Sequence, residues 1–166
     1  MVNFREKMLS FRHLCYKNGY LFAAFLIPVI LMGIAYISFG IYPFGGRSVL
    51  SLDLNAQYVF YFDYVHDVIG NGESLMYSWS RNLSGEFMGI IGYYLASPFN
   101  ILVWIFPRSM ITEGLLTMML AKFGACGVTF ALFAHKSQKL SKTTAALFAP
   151  MYALCAYMIV QTMDPM

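Results

Sequence analysis

The stretch Gly45–Gly70, GGRSVLSLDLNAQYVFYFDYVHDVIG, decides how this chain is read. It follows a long apolar run and begins a segment too polar to lie in lipid. It carries Asp53 just ahead of an amphipathic stretch from Asn55 to Ile69. There Tyr58, Phe62, Val65 and Ile69 recur at helical spacing, while Asp63, His66 and Asp67 fall on another face. The pattern predicts a helix lying along a membrane surface, its aromatics at headgroup depth, stopped by Asn71-Gly72.

Upstream, Tyr20–Ile41 (YLFAAFLIPVILMGIAYISFGI) has no charge. At about 1.5 Å per residue, roughly 20 residues cross a hydrocarbon core about 30 Å thick. Its length, and the lack of an A-x-A-like cleavage site, favour a retained helix over a signal peptide. Pro28 is expected to kink it. Residues 1–19 before it are basic, with Arg5, Lys7, Arg12 and Lys17 against Glu6. The whole chain is 59% apolar and only 11% charged, with a net charge of +3. A soluble domain lies nearer half apolar and a quarter charged. The apolar runs are continuous rather than alternating, which makes this an all-α integral membrane protein rather than a barrel. No basic stripe suits a nucleic acid. The 3 cysteines, Cys15, Cys126 and Cys155, have neither disulfide-framework nor zinc-ligand spacing.

Downstream, Phe87–Phe106 is almost long enough to span, but Gly89, Gly92, Ser97-Pro98 and Asn100 interrupt it. Pro98 biases Ser97 away from helix. A span here would also separate Lys136, Lys139 and Lys142 from the basic amino terminus, against the positive-inside rule. The segment therefore reads as interfacial or re-entrant pieces. A second span is expected over Thr112–Ala134 and a third over Thr143–Gln161, joined by the basic loop His135–Lys142. With both basic segments cytoplasmic, residues 42–111 form a long outer loop and residues 162–166 emerge outside. Ala121/Ala125, Gly127/Ala131 and Ala145/Ala149/Ala153 are small residues four apart, which predicts that the last two helices pack closely. Pro150 is expected to bend the third. The sequence ends directly after that helix, so the expectation is an amino-terminal piece of a longer polytopic protein.

Asp53 has two readings. It caps the helix beginning near Asn55, or Asn55 caps it and Asp53 is free to act as a general base, kept ionised by the helix amino terminus. Asp63, His66 and Asp67 have spacing that a metal can bridge, against the commoner reading of a solvated helix face. Tyr77, Trp79, Tyr93, Tyr94 and Trp104 are either interfacial aromatics or sugar-stacking and acyl-groove residues. Lys122, near the middle of the second span, is a costly cation whose expected role is pairing with an acid or a lipid phosphate. No P-loop, dinucleotide fingerprint, HExxH or GxSxG occurs, so nucleotide-driven chemistry is unsupported.

Phe44-Gly45-Gly46-Arg47-Ser48, Asp53-x-x-x-Gln57-Tyr58, Tyr77-Ser78-Trp79 and Tyr93-Tyr94-Leu95-x-Ser97-Pro98-Phe99-Asn100 follow in that order. This series resembles the bacterial YfhO family, over essentially the whole chain and over the family's amino-terminal part. The resemblance implies a GT-C-type fold in the plasma membrane. It also implies transfer of a sugar from a polyprenyl-phosphate carrier to a cell-envelope polymer of teichoic-acid type on the outer face. GT-C enzymes carry an essential acid in the first outer loop, and Asp53 matches that position.

The expected mechanism is a single inverting displacement with Asp53 as base. Gln57 and Tyr58 would support the loop or touch the donor, and Arg47, Arg81 or Lys122 would stabilise the phosphate. No metal ligand set is expected, since one carboxylate is a poor magnesium site, although a divalent ion remains open as a helper. The competing class is a non-enzymatic membrane protein, a transporter portion or a scaffold. A transporter should carry further intramembrane polar residues along a central path.

Overall fold

The computed structural model describes residues 4–50, 53–79 and 85–163, with side chains from Asn18 to Thr162 within those ranges. The chain divides into two compact units. One comprises residues up to Met32 and Phe123–Met158; the other comprises Gly33–Lys122 and Ile159–Met166.

Helix α1 runs Phe4–Ser38 with Pro28 inside it, and its Asn18–Ser38 portion is long and apolar enough to cross a membrane. It stops short of Ile41 because Gly40 takes a left-handed φ of 62°. The Gly40 N–H then bonds the Ile37 carbonyl and the Ile41 N–H bonds the Tyr36 carbonyl, a Schellman stop. Phe22, Leu26, Ile30, Leu31, Ile34 and Ile37 remain exposed, as suits a helix solvated by lipid.

In the first unit the packing uses small residues. Ala24 of α1 clusters with Ala131 and Ala134 of α5 (Ile111–Lys136) and with Ala145 and Ala149 of α6 (Lys142–Ala153). A Cβ placed on Gly127 would overlap the Ala24 carbonyl oxygen, and one on Gly124 would lie 2.5 Å from the Phe25 ring. The expected close pairing of the last two helices thus extends to the first, through Ala24. Lys142 sits over the Tyr20 ring at 5.6 Å, and that ring packs edge-on against His135. Ser141 caps α6 by accepting the Thr144 N–H.

The expected third span is a bent pair. Helix α6 and α7 (Ala156–Met163) meet at 59°. Helix α6 continues past Pro150, and the 59° bend lies beyond that residue. It falls at Leu154–Cys155, where the Cys155 N–H tightens onto the Tyr152 carbonyl. Among the described residues, two helices can span by length and composition, Asn18–Ser38 and Arg108–Lys136, or up to four if each bent pair is one span.

The second unit is built on α2 (Val59–Asn71), preceded by a π-helical turn at Leu54–Tyr58. Phe62, Val65 and Val68 are buried along it, while Ile69 is exposed; Gly72, at φ 71°, ends it. A small antiparallel pair, β1 (Tyr77–Ser78) and β2 (Gly85–Glu86), adds a strand element that an all-α expectation omits. Then come α3 (Met88–Ile90) leading into a second π-helical turn, Ile91–Leu95, and a 3₁₀ turn, Pro98–Asn100, leading into α4 (Ile101–Ile105). The two halves are bent by 95° at the expected break. Ser97 has the extended ψ of 132° that Pro98 imposes. Gly114 lets α5 approach α4, since a Cβ there would lie 3.2 Å from the Val103 Cα.

Candidate functional site

The Phe44-Gly45-Gly46-Arg47 motif is a backbone turn fastened to the end of α1. The Arg47 N–H bonds the Gly40 carbonyl at 3.0 Å, and the Tyr42 N–H bonds the Arg47 carbonyl at 2.7 Å. Gly45 passes so close to Gly40 that a Cβ would lie 2.5 Å from its carbonyl oxygen. The Arg47 side chain is left exposed. The Tyr42 hydroxyl donates to Glu113 Oε1 at 3.0 Å. That hydrogen bond, then the carboxylate's charge, then burial raise the Tyr42 pKa.

Asp53 enters the helical stretch with φ −66° and ψ −24°, and its side chain makes no capping bond. The capping reading therefore does not hold for Asp53. Asn55 is not a cap either, since it lies inside the π turn and is exposed. The Asp53 side chain is half-buried, as is Gln57 one turn on, and Tyr58 is wholly buried. The Val59 N–H reaches back to the Leu54 carbonyl, the long bond that defines a π turn. Such turns inside α-helices recur at functional sites.

The second π turn contains Tyr93-Tyr94-Leu95, and the two turns meet. Tyr58 packs edge-on against Tyr94, with ring centroids 5.0 Å apart and planes at 87°. Tyr61 touches Tyr94 and Phe87, and Tyr64 packs against Phe87 at 4.5 Å. Asn100 is buried and donates from Nδ2 to the Tyr94 carbonyl at 3.4 Å, bracing the chain across the break. Two motifs distant in sequence thus form one aromatic layer beneath the turn that carries Asp53.

The acids of α2 hold a cation supplied by the protein itself. Arg108 donates from Nε to Asp63 Oδ1 at 2.5 Å and from Nη2 to Asp63 Oδ2 at 2.6 Å, and its Nη1 bonds Asp67. Among the described residues no group of three potential ligands can hold a metal. His66 does not complete a ligand set; its Nε2 is buried without a hydrogen-bond partner. Sequence reasoning missed this clamp, because nothing local links Arg108 to acids more than forty residues earlier.

Tyr58 is wholly buried. Arg81 lies outside the described residues. Lys122 is half-buried in α5 and has an interaction of its own. The structure brings together Asp53, Gln57 and Tyr58 on one turn; Arg47 belongs to the preceding loop.

The family described as bacterial membrane protein YfhO matches residues 23–166, which include every element of this layer. The chain belongs to the YfhO family. In this YfhO-family chain the match takes in Asp53, both π turns and the Arg108 clamp. No curated protein and no solved structure matches it.

Proposed function

We propose that this YfhO-family chain contributes the outer-loop acid of a GT-C-type membrane glycosyltransferase, with the amino terminus in the cytosol. The reaction moves a sugar from a polyprenyl-phosphate carrier to a hydroxyl of a cell-envelope polymer of teichoic-acid type. The acceptor oxygen attacks the anomeric carbon as the bond to the carrier's phosphate oxygen breaks. Asp53 takes the acceptor's proton, and the polyprenyl phosphate leaves with the bonding electrons. Gln57 orients the loop. Arg47, Arg81 and Lys122 are the cations we assign to stabilising the leaving phosphate.

The observation that carries this reading is the state of Asp53. Its half-buried carboxylate is not consumed as a helix cap, although it stands at the start of a π turn braced by Tyr58 and Tyr94. The test uses Asp53→Asn and Asp53→Glu in cells, reading sugar on the envelope polymer. Asn should lower transfer by about 10²–10⁴-fold with the protein still in the membrane, and Glu should retain part of it. Full transfer by Asp53→Asn would end the base assignment.

A further inference from the structure

A cleft of about 440 Å³, whose lining does not include Asp53, is formed by Tyr64, Asp67, Glu73, Ser74, Tyr77 and Trp79. That volume falls within the roughly 300–1,000 Å³ of small-molecule sites. Its walls are tied together by hydrogen bonds. The Tyr64 hydroxyl lies 3.2 Å from the Ser74 carbonyl and 3.3 Å from the Tyr77 carbonyl, tying both to α2. The Met76 N–H bonds Ser74 Oγ at 3.1 Å, and the Phe87 N–H bonds the Met76 carbonyl at 2.9 Å. On this frame stands Trp79, 82% exposed, its ring 5.0 Å from that of Tyr77 with the planes at 67°. A large indole held in the open beside a braced cleft contributes nothing to the core. What it offers is a flat apolar face.

We infer that this cleft binds a neutral pyranose ring of a saccharide, stacked on Trp79. The ring's C–H face suits the indole, and its hydroxyls suit acceptor-only carboxylates at the rim. Glu73 supplies such an acceptor. Asp67 supplies a second, because Arg108 engages its Oδ1 and not its Oδ2. Arg108 is shared between Asp63 and Asp67 and offsets only one of their two charges, so the rim stays acidic and disfavours an anionic glycan. The assignment rests on cleft geometry and deepens the glycosyl-transfer reading, in which it becomes a subsite for the glycan that does not include Asp53.

The chain in nanodiscs is titrated with maltotriose and observed by saturation-transfer NMR on the ligand. Saturable binding is expected, weakened about tenfold or more by Trp79→Ala and severalfold by Glu73→Gln. Trp104→Phe and Asp53→Asn should leave it unchanged, which separates this site from the transfer chemistry. Trp79→Phe should restore part of the binding, since a smaller aromatic face remains; exposure of residue 79 makes both changes there tolerable to the fold. Binding that survives Trp79→Ala overturns the inference. So does an absence of maltotriose binding, with or without tetramethylammonium binding in its place, which would mark a cation–π site.

Discussion

Tyr58 and Tyr94, thirty-six positions apart in the chain, meet edge to face with ring centroids 5.0 Å apart. Each lies in a π-helical turn, and their contact joins the turn after Asp53 to the broken helix that follows β2. Because Tyr58 is wholly buried, Tyr58→Ala should cost about 3–5 kcal/mol in detergent unfolding. A double-mutant cycle with Tyr94→Ala should show coupling of about 0.5–1.5 kcal/mol. Strict additivity would mean that the two turns are not joined through these rings.

Arg108 is a fork, and the fork should matter more than the charge. It bonds both oxygens of Asp63 and reaches Asp67 as well. A lysine cannot reproduce that planar geometry. Arg108→Lys and Arg108→Ala should therefore both speed amide exchange in residues 59–71, by a similar factor of severalfold. Exchange in Arg108→Lys that matches the parent would reduce the clamp to a simple surface ion pair, which contributes little.

Tyr42 provides a pH signature. Its pKa is raised by the hydrogen bond to Glu113, so the interaction is intact below the ordinary tyrosine range. It is lost as pH rises through the elevated value. In an alkaline titration followed by NMR of labelled tyrosine, Tyr42 should titrate above the ordinary value of 10.0. Glu113→Gln should bring it back down. A Tyr42 curve unaffected by that substitution would remove the bond as the cause.

Much of this fold was legible in the residues, and the exceptions have physical reasons. The break at Ser97-Pro98 follows from proline sterics alone, and the stop at Gly72 from a residue free to take positive φ. The amphipathic face was legible at Tyr58, in the π turn, and at Phe62 and Val65 of α2, but Val68 rather than Ile69 is the buried residue that continues it. Gly40 looked like one more apolar-run residue, yet it ends α1 through a Schellman stop. The π turns were not legible. An α or π register is decided by which tertiary contacts it allows, here Tyr58 on Tyr94, and not by local propensity. The Arg108 clamp was hidden for the same reason, and no helix-breaking residue marks the bend at Leu154–Cys155. At the candidate site, Asp53 was legible as an acid beside a helix start, whereas its lack of a capping role needed the backbone.

The proposed chemistry requires the Asp53 turn to face away from the cytosol. With Cys15, Cys126 and Cys155 replaced by serine, a single cysteine at the exposed position Asn55 reports its side directly. The expected result is labelling of intact cells by a membrane-impermeant maleimide, unchanged after lysis. Labelling that occurs only after lysis would place the turn in the cytosol and contradict the assignment of Asp53.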